Sequence, residues 1–537
     1  MKGRNRRTAR VAMALFMTLA MIFPMTANAT VAENDVARIG DEGYETLQAA
    51  FNAVPDGTTT TVTLIDNIQM STADIAELAA GKSIVLNMNG KSITVDDSFV
   101  GRPIVNRGEM TIEGNGTIDS SMSTAKGYGA VDNYGVMTIE NGHFSGDVDA
   151  NGASVRNRAT GTLTINDGIF DGATTALYNE GKATVYNGEF IGRSCSSCNP
   201  GAWGYTIRSY QDSNSPEIKP ELIFYDGLVE GVQGAFSTSA GTSTIYDGTF
   251  RTVPCKIHSD GSTAFYAFYV AGESGEVVTH VYGGEFTSFS KTAAYIGNNN
   301  DGGMKKDALV YIHDGVFTAQ DGINAVTVSE PIGGAKISGG SFSSDVSELL
   351  SEDGDYAQLV KKDGTYLVIE DDEKIAAESG AVYKTIIDGK TFYYEEKPAS
   401  LPDDEVSELY TIAFDSKGGS AVDPQVITEG EKATEPNVPV REGYKFEGWY
   451  IEETYETAWD FDNIPESSMT LYAKWSEIPK EPASGESDNT SGSTSASPDK
   501  SVATGDDTNL TLMFVIMGLA AAAAAGTVVY GRRKRSS

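Results

Sequence analysis

Cys195-x-x-Cys198 and Cys255-x-x-His258 are the spacings in this chain best suited to chemistry. Together they have the ligand types and local spacing of a tetrahedral zinc site. Each pair follows a phenylalanine, Phe190 or Phe250, at an equivalent place in a repeat, which would bring both to one edge. The ends of the chain, read below, mark it for export, and exported cysteines more often form disulfides. A bridge from Cys255 to Cys195 or Cys198 would clip two segments together and leave a spare thiol. The disulfide is the leading expectation, with free thiols and a metal as alternatives, so no metal and no cofactor is assigned. Catalytic constellations are missing. His143, His258, His280 and His313 share no catalytic spacing. Asp167, Asp226, Asp247 and Asp314 recur, but each stands before a glycine, where turn chemistry accounts for it. No Gly-x-Ser-x-Gly, His-Glu-x-x-His or phosphate loop occurs. The expectation is a protein that is not an enzyme, with no catalytic residue.

Recognition is the other chemistry on offer. Trp203, Tyr205, Arg208, Tyr210 and Gln211 fall between Arg193 and Pro220, and Tyr266, Phe268 and Tyr269 between Gly248 and Gly284. Both segments exceed the local repeat length. Insertions of this kind project as loops, often on a binding face. Trp203, Tyr205, Tyr210, Tyr266 and Tyr269 are therefore candidate ligand-binding residues, since aromatic rings stack on sugars and anchor protein partners. The alternative is that the same rings pack their loops against the body of the fold.

The elements that must position these residues are periodic. Turn pairs occur at Asn89-Gly90, Asn115-Gly116, Asn141-Gly142, Asp167-Gly168, Asn187-Gly188, Asp226-Gly227, Asp247-Gly248, Gly283-Gly284, Asp314-Gly315 and Gly339-Gly340. Two residues after all but the first of them comes an apolar side chain: Ile118, Phe144, Phe170, Phe190, Val229, Phe250, Phe286, Phe317 or Phe342. Alternating runs such as Val136-Met137-Thr138-Ile139 precede the pairs, with period two sending Met137 and Ile139 to one face. Asn-Gly also signals hairpins. Here each pair lacks a matched antiparallel neighbour, so it reads as a corner in a stacked coil. Asn106, Asn133, Asn157 and Asn179 form a second register, spaced to stack as a hydrogen-bonded ladder and therefore structural.

This pattern resembles the right-handed parallel β-helix of the pectin-lyase-like class, across roughly residues 36–368. The resemblance implies an all-β solenoid over 30–370. A short helix at Tyr44–Val54 would cap its open end, Thr61–Ile65 would be its first strand, and a hairpin around Asp363-Gly364 would close it. A connecting β segment would occupy 371–408. The class also contains polysaccharide lyases and hydrolases, which supplies the alternative function and does so by analogy alone.

From Tyr410 to Trp475 the pattern changes. Tyr410-Thr411-Ile412-Ala413-Phe414, Arg441-Glu442-Gly443-Tyr444-Lys445-Phe446-Glu447-Gly448-Trp449-Tyr450 and Leu471-Tyr472-Ala473-Lys474-Trp475 resemble the Listeria–Bacteroides repeat, a small β-grasp module of bacterial surface proteins such as internalins. The resemblance implies a spacer or adhesion module over 409–476. Phe414, Tyr444, Phe446, Trp449, Phe461, Leu471 and Trp475 would be its core. Residues 477–500, rich in Ser, Thr, Pro and acids, cannot bury enough apolar surface to fold and read as a flexible stalk.

Both ends carry targeting patterns. Residues 1–29 have a basic start, an apolar run from Val11 to Met25 and a small-x-small site at Ala27-Asn28-Ala29, with Thr30 as the new N-terminus. Residues 501–537 hold Ser501-Val502-Ala503-Thr504-Gly505, an apolar run over 510–530 and a basic tail, Arg532-Arg533-Lys534-Arg535. That run is long enough for one transmembrane helix. The combination resembles a Gram-positive sortase sorting signal, Leu-Pro-x-Thr-Gly, of which the Thr-Gly half is kept. It implies cleavage between Thr504 and Gly505, sortase and peptidoglycan as partners, and a membrane span only before processing.

The chain carries a net charge of −35. Removing both signals takes nine of the 40 Lys/Arg and two of the 75 Asp/Glu, leaving 31 against 73, or −42. Such a surface repels nucleic acid and anionic headgroups. The expectation is a wall-anchored, adhesin-like surface protein that binds a glycan or a host extracellular protein.

Overall fold

The computed structural model describes residues 31–123, 129–146, 152–193, 204–255, 266–297, 307–329 and 333–479. Ala29, Thr30, Cys195, Cys198, Trp203, His258, most of the stalk, Thr504, Gly505 and the apolar run over 510–530 lie outside them. Among the described residues no helix is long and apolar enough to cross a membrane.

Short alternating strands wind into a solenoid of parallel sheets. Each coil gives one strand to each of three sheets. In the first sheet the coil strands run from Thr59–Leu64 to Gly333–Ile337, in the second from Ile68–Met70 to Gly340–Phe342, and in the third from Ala76–Leu78 to Val326–Val328. Pairing between coils is parallel and in register: Met137 lies between Met110 and Leu163, and Ile139 between Ile112 and Ile165. The alternation expected from sequence sends these residues inward, where all six are buried.

The Asn/Asp-Gly pairs are the corners between the first and second sheets. Gly142, Gly168, Gly188, Gly227 and Gly248 take φ values between +124° and +149°, a region that side chains other than hydrogen rarely allow. Crowding adds to this. A Cβ on Gly227 would stand 2.6 Å from the carbonyl oxygen of Gly188 in the coil beneath.

Past each corner the inward residue of the second sheet builds the core. Phe144, Phe170 and Phe190 stack at 5.1 and 4.8 Å between ring centroids. Phe250, Phe286, Phe317 and Phe342 continue at 4.7, 4.6 and 5.2 Å. Val229 interrupts the column. There Phe224 reaches in from the first sheet and meets Phe190 at 6.1 Å and Phe250 at 5.0 Å.

The asparagine ladder forms as its spacing predicts. Asn106 Nδ2 donates to Asn133 Oδ1, Asn133 to Asn157 and Asn157 to Asn179, each at 2.8 Å. All four are fully buried at the turn between the third and first sheets. Their remaining amide protons go to backbone carbonyls such as Val136, Thr162 and Lys182.

The N-terminal cap differs from expectation. Tyr44 ends a strand, Glu42–Tyr44, that pairs with Ala37–Ile39, and this hairpin adds to the first sheet ahead of Thr59–Leu64. The helix is shorter, Leu47–Ala53, because Thr46 caps it by accepting a hydrogen bond from the Ala49 amide at 3.1 Å. Leu47, Ala50 and Phe51 face the core. At the other end Tyr356–Val360 and Tyr366–Glu370 form the expected hairpin, and the second of these strands pairs antiparallel with Gly340–Phe342. The connecting segment holds a helix, Glu373–Glu378, as well as a hairpin, Tyr383–Ile387 with Lys390–Tyr394.

The small module is a mixed sheet ordered Gln425–Thr428, Ser407–Asp415, Met469–Glu477 and Tyr444–Tyr450, with its two central strands parallel. No helix lies among these strands. Trp449 and Leu471 are buried, with Phe414, Phe446, Phe461 and Trp475 packed around them. Tyr444 is a correction. It stands outside this cluster, with Arg441 3.9 Å above its ring.

Candidate binding surface

The aromatics expected to project do not. Tyr205 and Tyr269 are strand residues of the third sheet, in Tyr205–Ser209 and Phe268–Val270. With Tyr266 and Tyr295 they make a cluster in which Tyr205, Tyr266 and Tyr269 are less than a tenth exposed. Gly234 permits it: a Cβ there would meet the Tyr205 ring at 2.3 Å, and in its absence Tyr205 lies flat against Tyr269 at 5.2 Å. Burial raises the Tyr266 hydroxyl to about 12. The reading that these rings pack against the fold holds for all three. The surplus residues fall between the second- and third-sheet strands, and again before Glu221–Phe224. Tyr210 is half-buried and tilted against Tyr178 at 6.3 Å. Cys255 is buried beside Val232 and Val253, and its proposed partners lie outside the described residues. Among the described residues no cluster of three or more His, Cys, Asp or Glu is placed to hold a metal.

The exposed aromatic surface is elsewhere, at the residue just before five of the ten turn pairs. Period two points Val185, Phe224, Ile245, Val281 and Ile312 inward, so Tyr186, Tyr225, Tyr246, Tyr282 and His313 point outward. Interstrand hydrogen bonds hold them in register: the amides of Tyr186, Tyr225 and Tyr246 donate to the carbonyls of Ile165, Val185 and Phe224 at 2.8–2.9 Å. The rings therefore stack into a stripe along the solenoid, at 5.0, 4.9, 5.4 and 4.5 Å from Tyr186 to His313. The four tyrosines remain 38–50 % exposed. His280 and Tyr311 form a second row beside the far end, 4.7 Å apart. Below Tyr186 the corner continues as a polar groove of about 360 Å³, lined by Asn115, Asn141, His143, Asp167 and Glu189 among others. The sequence holds the signal for this stripe, a Tyr before four of the turn pairs and a His before a fifth, alongside the turn chemistry of the pairs themselves.

His143 is the residue nearest to acid–base chemistry. Its Nε2 lies 2.5 Å from Asp171 Oδ2 and 3.3 Å from Ser145 Oγ. A nucleophile relay requires the serine and the carboxylate on opposite ring nitrogens. Here both meet the same one, and Arg193 also occupies Asp171 at 2.5 Å. The hydrogen bond that protonated His143 donates to Asp171 raises its pKa above 6.5, whereas burial lowers those of His280 and His313, the latter also pressed by its neighbour. The consequences for stability have opposite signs. The His143 contribution is fully present below pH 6.5 and is lost as pH rises through its raised value. The depressed pair weakens the fold as pH falls through 6.5. An NMR titration should show His143 deprotonating at higher pH than both His280 and His313. A single shared midpoint would refute this assignment.

The outer face of the third sheet carries a different chemistry. Arg102 Nε meets Asp132 at 2.7 Å and Arg158 meets the same carboxylate at 2.7 Å. Arg107 pairs with Glu77 at 2.7 Å and Arg156 with Glu180 at 2.6 Å. Burial lowers the Arg102 pKa to about 10, against the pull of Asp132. Tyr134 lies under Arg107 and Arg158, and Tyr178 under Arg156 and Arg208.

Residues 410–474 match the Listeria-Bacteroides repeat domain. A putative Gly-rich membrane protein of Evansella cellulosilytica is 40% identical over 88 residues, 16% of this chain and 10% of its own. Internalin H of Listeria monocytogenes is 39% identical over 72 residues, 13% of each chain. A putative surface-exposed virulence protein, BigA, of Salmonella typhimurium is 26% identical over 251 residues, 45% of this chain and 11% of its own. The chain thus spans about a tenth of the length of the curated relatives it matches. No solved structure matches.

Proposed function

We propose that this is a cell-surface binding protein whose solenoid, a right-handed β-helix of the pectin-lyase-like kind, engages an extended polymer, a glycan or a host-matrix protein. It is exported through residues 1–29 and anchored by a sortase acting at Thr504 and Gly505, with the Listeria-Bacteroides repeat and the stalk as spacers. The surface and internalin-type relatives support the location.

One observation carries the binding role: the exposed stripe from Tyr186 to His313. Tyrosines combine a large rigid ring with a polar tip and lose little rotamer freedom on binding. Stacking on neighbouring coils has already ordered them, which removes part of the entropy cost of association. The stripe presents ring edges and hydroxyls, one per coil, along the solenoid axis. That geometry suits a long ligand better than a small molecule.

The test replaces Tyr225, Tyr246 and Tyr282 by serine together. Retention of cells or purified chain on a glycan and matrix panel should drop at least tenfold. The melting temperature should move little, since the rings are half-exposed and lie outside the core. Undiminished retention on every surface would refute the stripe. Wall fractionation reports independently on anchoring: the chain should co-purify with peptidoglycan and be released by muralytic enzymes.

A further inference from the structure

We propose that the outer face of the third sheet, around Arg208, is a second and separate binding site, for a glycan ending in a single carboxylate-bearing sugar. Its independence from the tyrosine stripe is geometric, since it lies on another sheet.

The argument begins with charge. Arg102, Arg107, Arg156, Arg158 and Arg208 share this face with Glu77, Asp132 and Glu180 as their ion partners. The five cations outnumber their three direct ion partners, with Asp212 also within electrostatic reach of Arg156, on a chain whose net charge is −35. Arg102, Arg107, Arg156 and Arg158 each have a carboxylate. Arg208 makes no ion pair with any described residue. Asp212 makes no ion pair with it, and its Oδ1 accepts from the Asn214 amide at 3.0 Å.

Arg208 is nonetheless held in place. Its guanidinium carbon stands 5.3 Å from the centroid of Tyr178 and 5.6 Å from that of Tyr210. Its Nε is buried, and no described residue accepts a hydrogen bond from it. A guanidinium fixed against two rings, with no described carboxylate on its fork, is organised for a planar anion that accepts two parallel hydrogen bonds. Register explains how it came to be there: Arg156, Tyr178 and Arg208 are cross-strand neighbours, so period two puts all three on the outside.

The same features choose the ligand. The chain as a whole repels polyanions, and the local excess is small, which favours one carboxylate over a polyacid. Tyr178 and Tyr210, tilted 48° to each other, offer edges and partial faces beside the cation, where a sugar ring can lie.

The experiment titrates the full-length chain with sialyllactose, lactose and a short glutamate peptide, at low and at high salt. Sialyllactose should bind at least tenfold more tightly than lactose, and more weakly as salt rises. Arg208→Gln should remove that preference. Arg208→Lys, which keeps the charge and loses the fork, should weaken binding too. Unchanged melting temperatures for both variants show that the fold is intact. Should Arg208→Gln unfold the chain, Tyr210→Ser gives the second reading, with sialyllactose again the affected ligand. The tyrosine-stripe triple variant should bind sialyllactose normally, so failure of one site is distinguishable from failure of the other. No binding of sialyllactose, equal binding of lactose, an unaffected Arg208→Gln or Tyr210→Ser, or binding of the peptide in place of the sugar each overturns the proposal.

Discussion

Asn157→Leu should destabilise the solenoid by about 3–5 kcal/mol, because a buried acceptor left without its donor costs about 1–3 kcal/mol and several are affected at once. Asn157 Nδ2 supplies Asn179 Oδ1 at 2.8 Å, the Lys182 carbonyl at 2.9 Å and the Gly161 carbonyl at 3.2 Å. Leucine replaces none of these. Water has no access, since the ladder asparagines are fully buried. Hydrogen exchange is the informative measurement, because coils in a solenoid depend mainly on their neighbours. Amides of the flanking coils should lose protection first, with the small module unaffected. Asn187→Ala at an exposed corner is the control and should stay within about 0.5 kcal/mol. Equal protection in the two variants would mean that the ladder is ornamental.

Phe286→Ala should cost a comparable amount, about 3–5 kcal/mol, as truncation of a buried phenylalanine does. Phe286 is fully buried, 4.7 Å from Phe250 and 4.6 Å from Phe317, so the hole opens in the middle of a column. The break at Val229 offers a sharper version. Val229→Phe alone should destabilise by about 1–3 kcal/mol through overpacking against Phe224. Adding Phe224→Val should restore most of the loss, since the column then runs straight as it does elsewhere. Denaturant melts of the two single variants and the double variant measure the coupling. Strict additivity would show that Phe224 does not fill the space Val229 leaves.

The solenoid could be read from sequence because its determinants are local and repeated. Most corners announce themselves by a glycine at positive φ, and most core positions by their fixed distance from that glycine. The asparagine ladder followed from spacing alone. Where the reading failed, the reason was tertiary. Tyr205 and Tyr269 sit in segments too long for one coil, yet the extra residues are spent between strands, and Gly234 makes a bed for the rings. The N-terminal hairpin was missed because Ala37–Ile39 and Glu42–Tyr44 are too short for alternation to declare itself. The tyrosine stripe needed no tertiary information. Tyr186, Tyr225, Tyr246 and Tyr282 each stand before a turn pair, and the alternation that buried Val185 and Phe224 already turned them out.

The near-equal spacing of that stripe has a kinetic consequence. A polymer shifted along the solenoid by one coil meets nearly the same surface, since Tyr225 replaces Tyr186 and Tyr246 replaces Tyr225. Binding of the proposed polymer would then be degenerate: several placements of similar energy share one surface, and moving between neighbours requires breaking only part of the contact. A cell dragged by flow could slip from one placement to the next instead of detaching. Grip of this kind depends less on the strength of any one contact than on how many rings stand in line, and it would lengthen with each coil added.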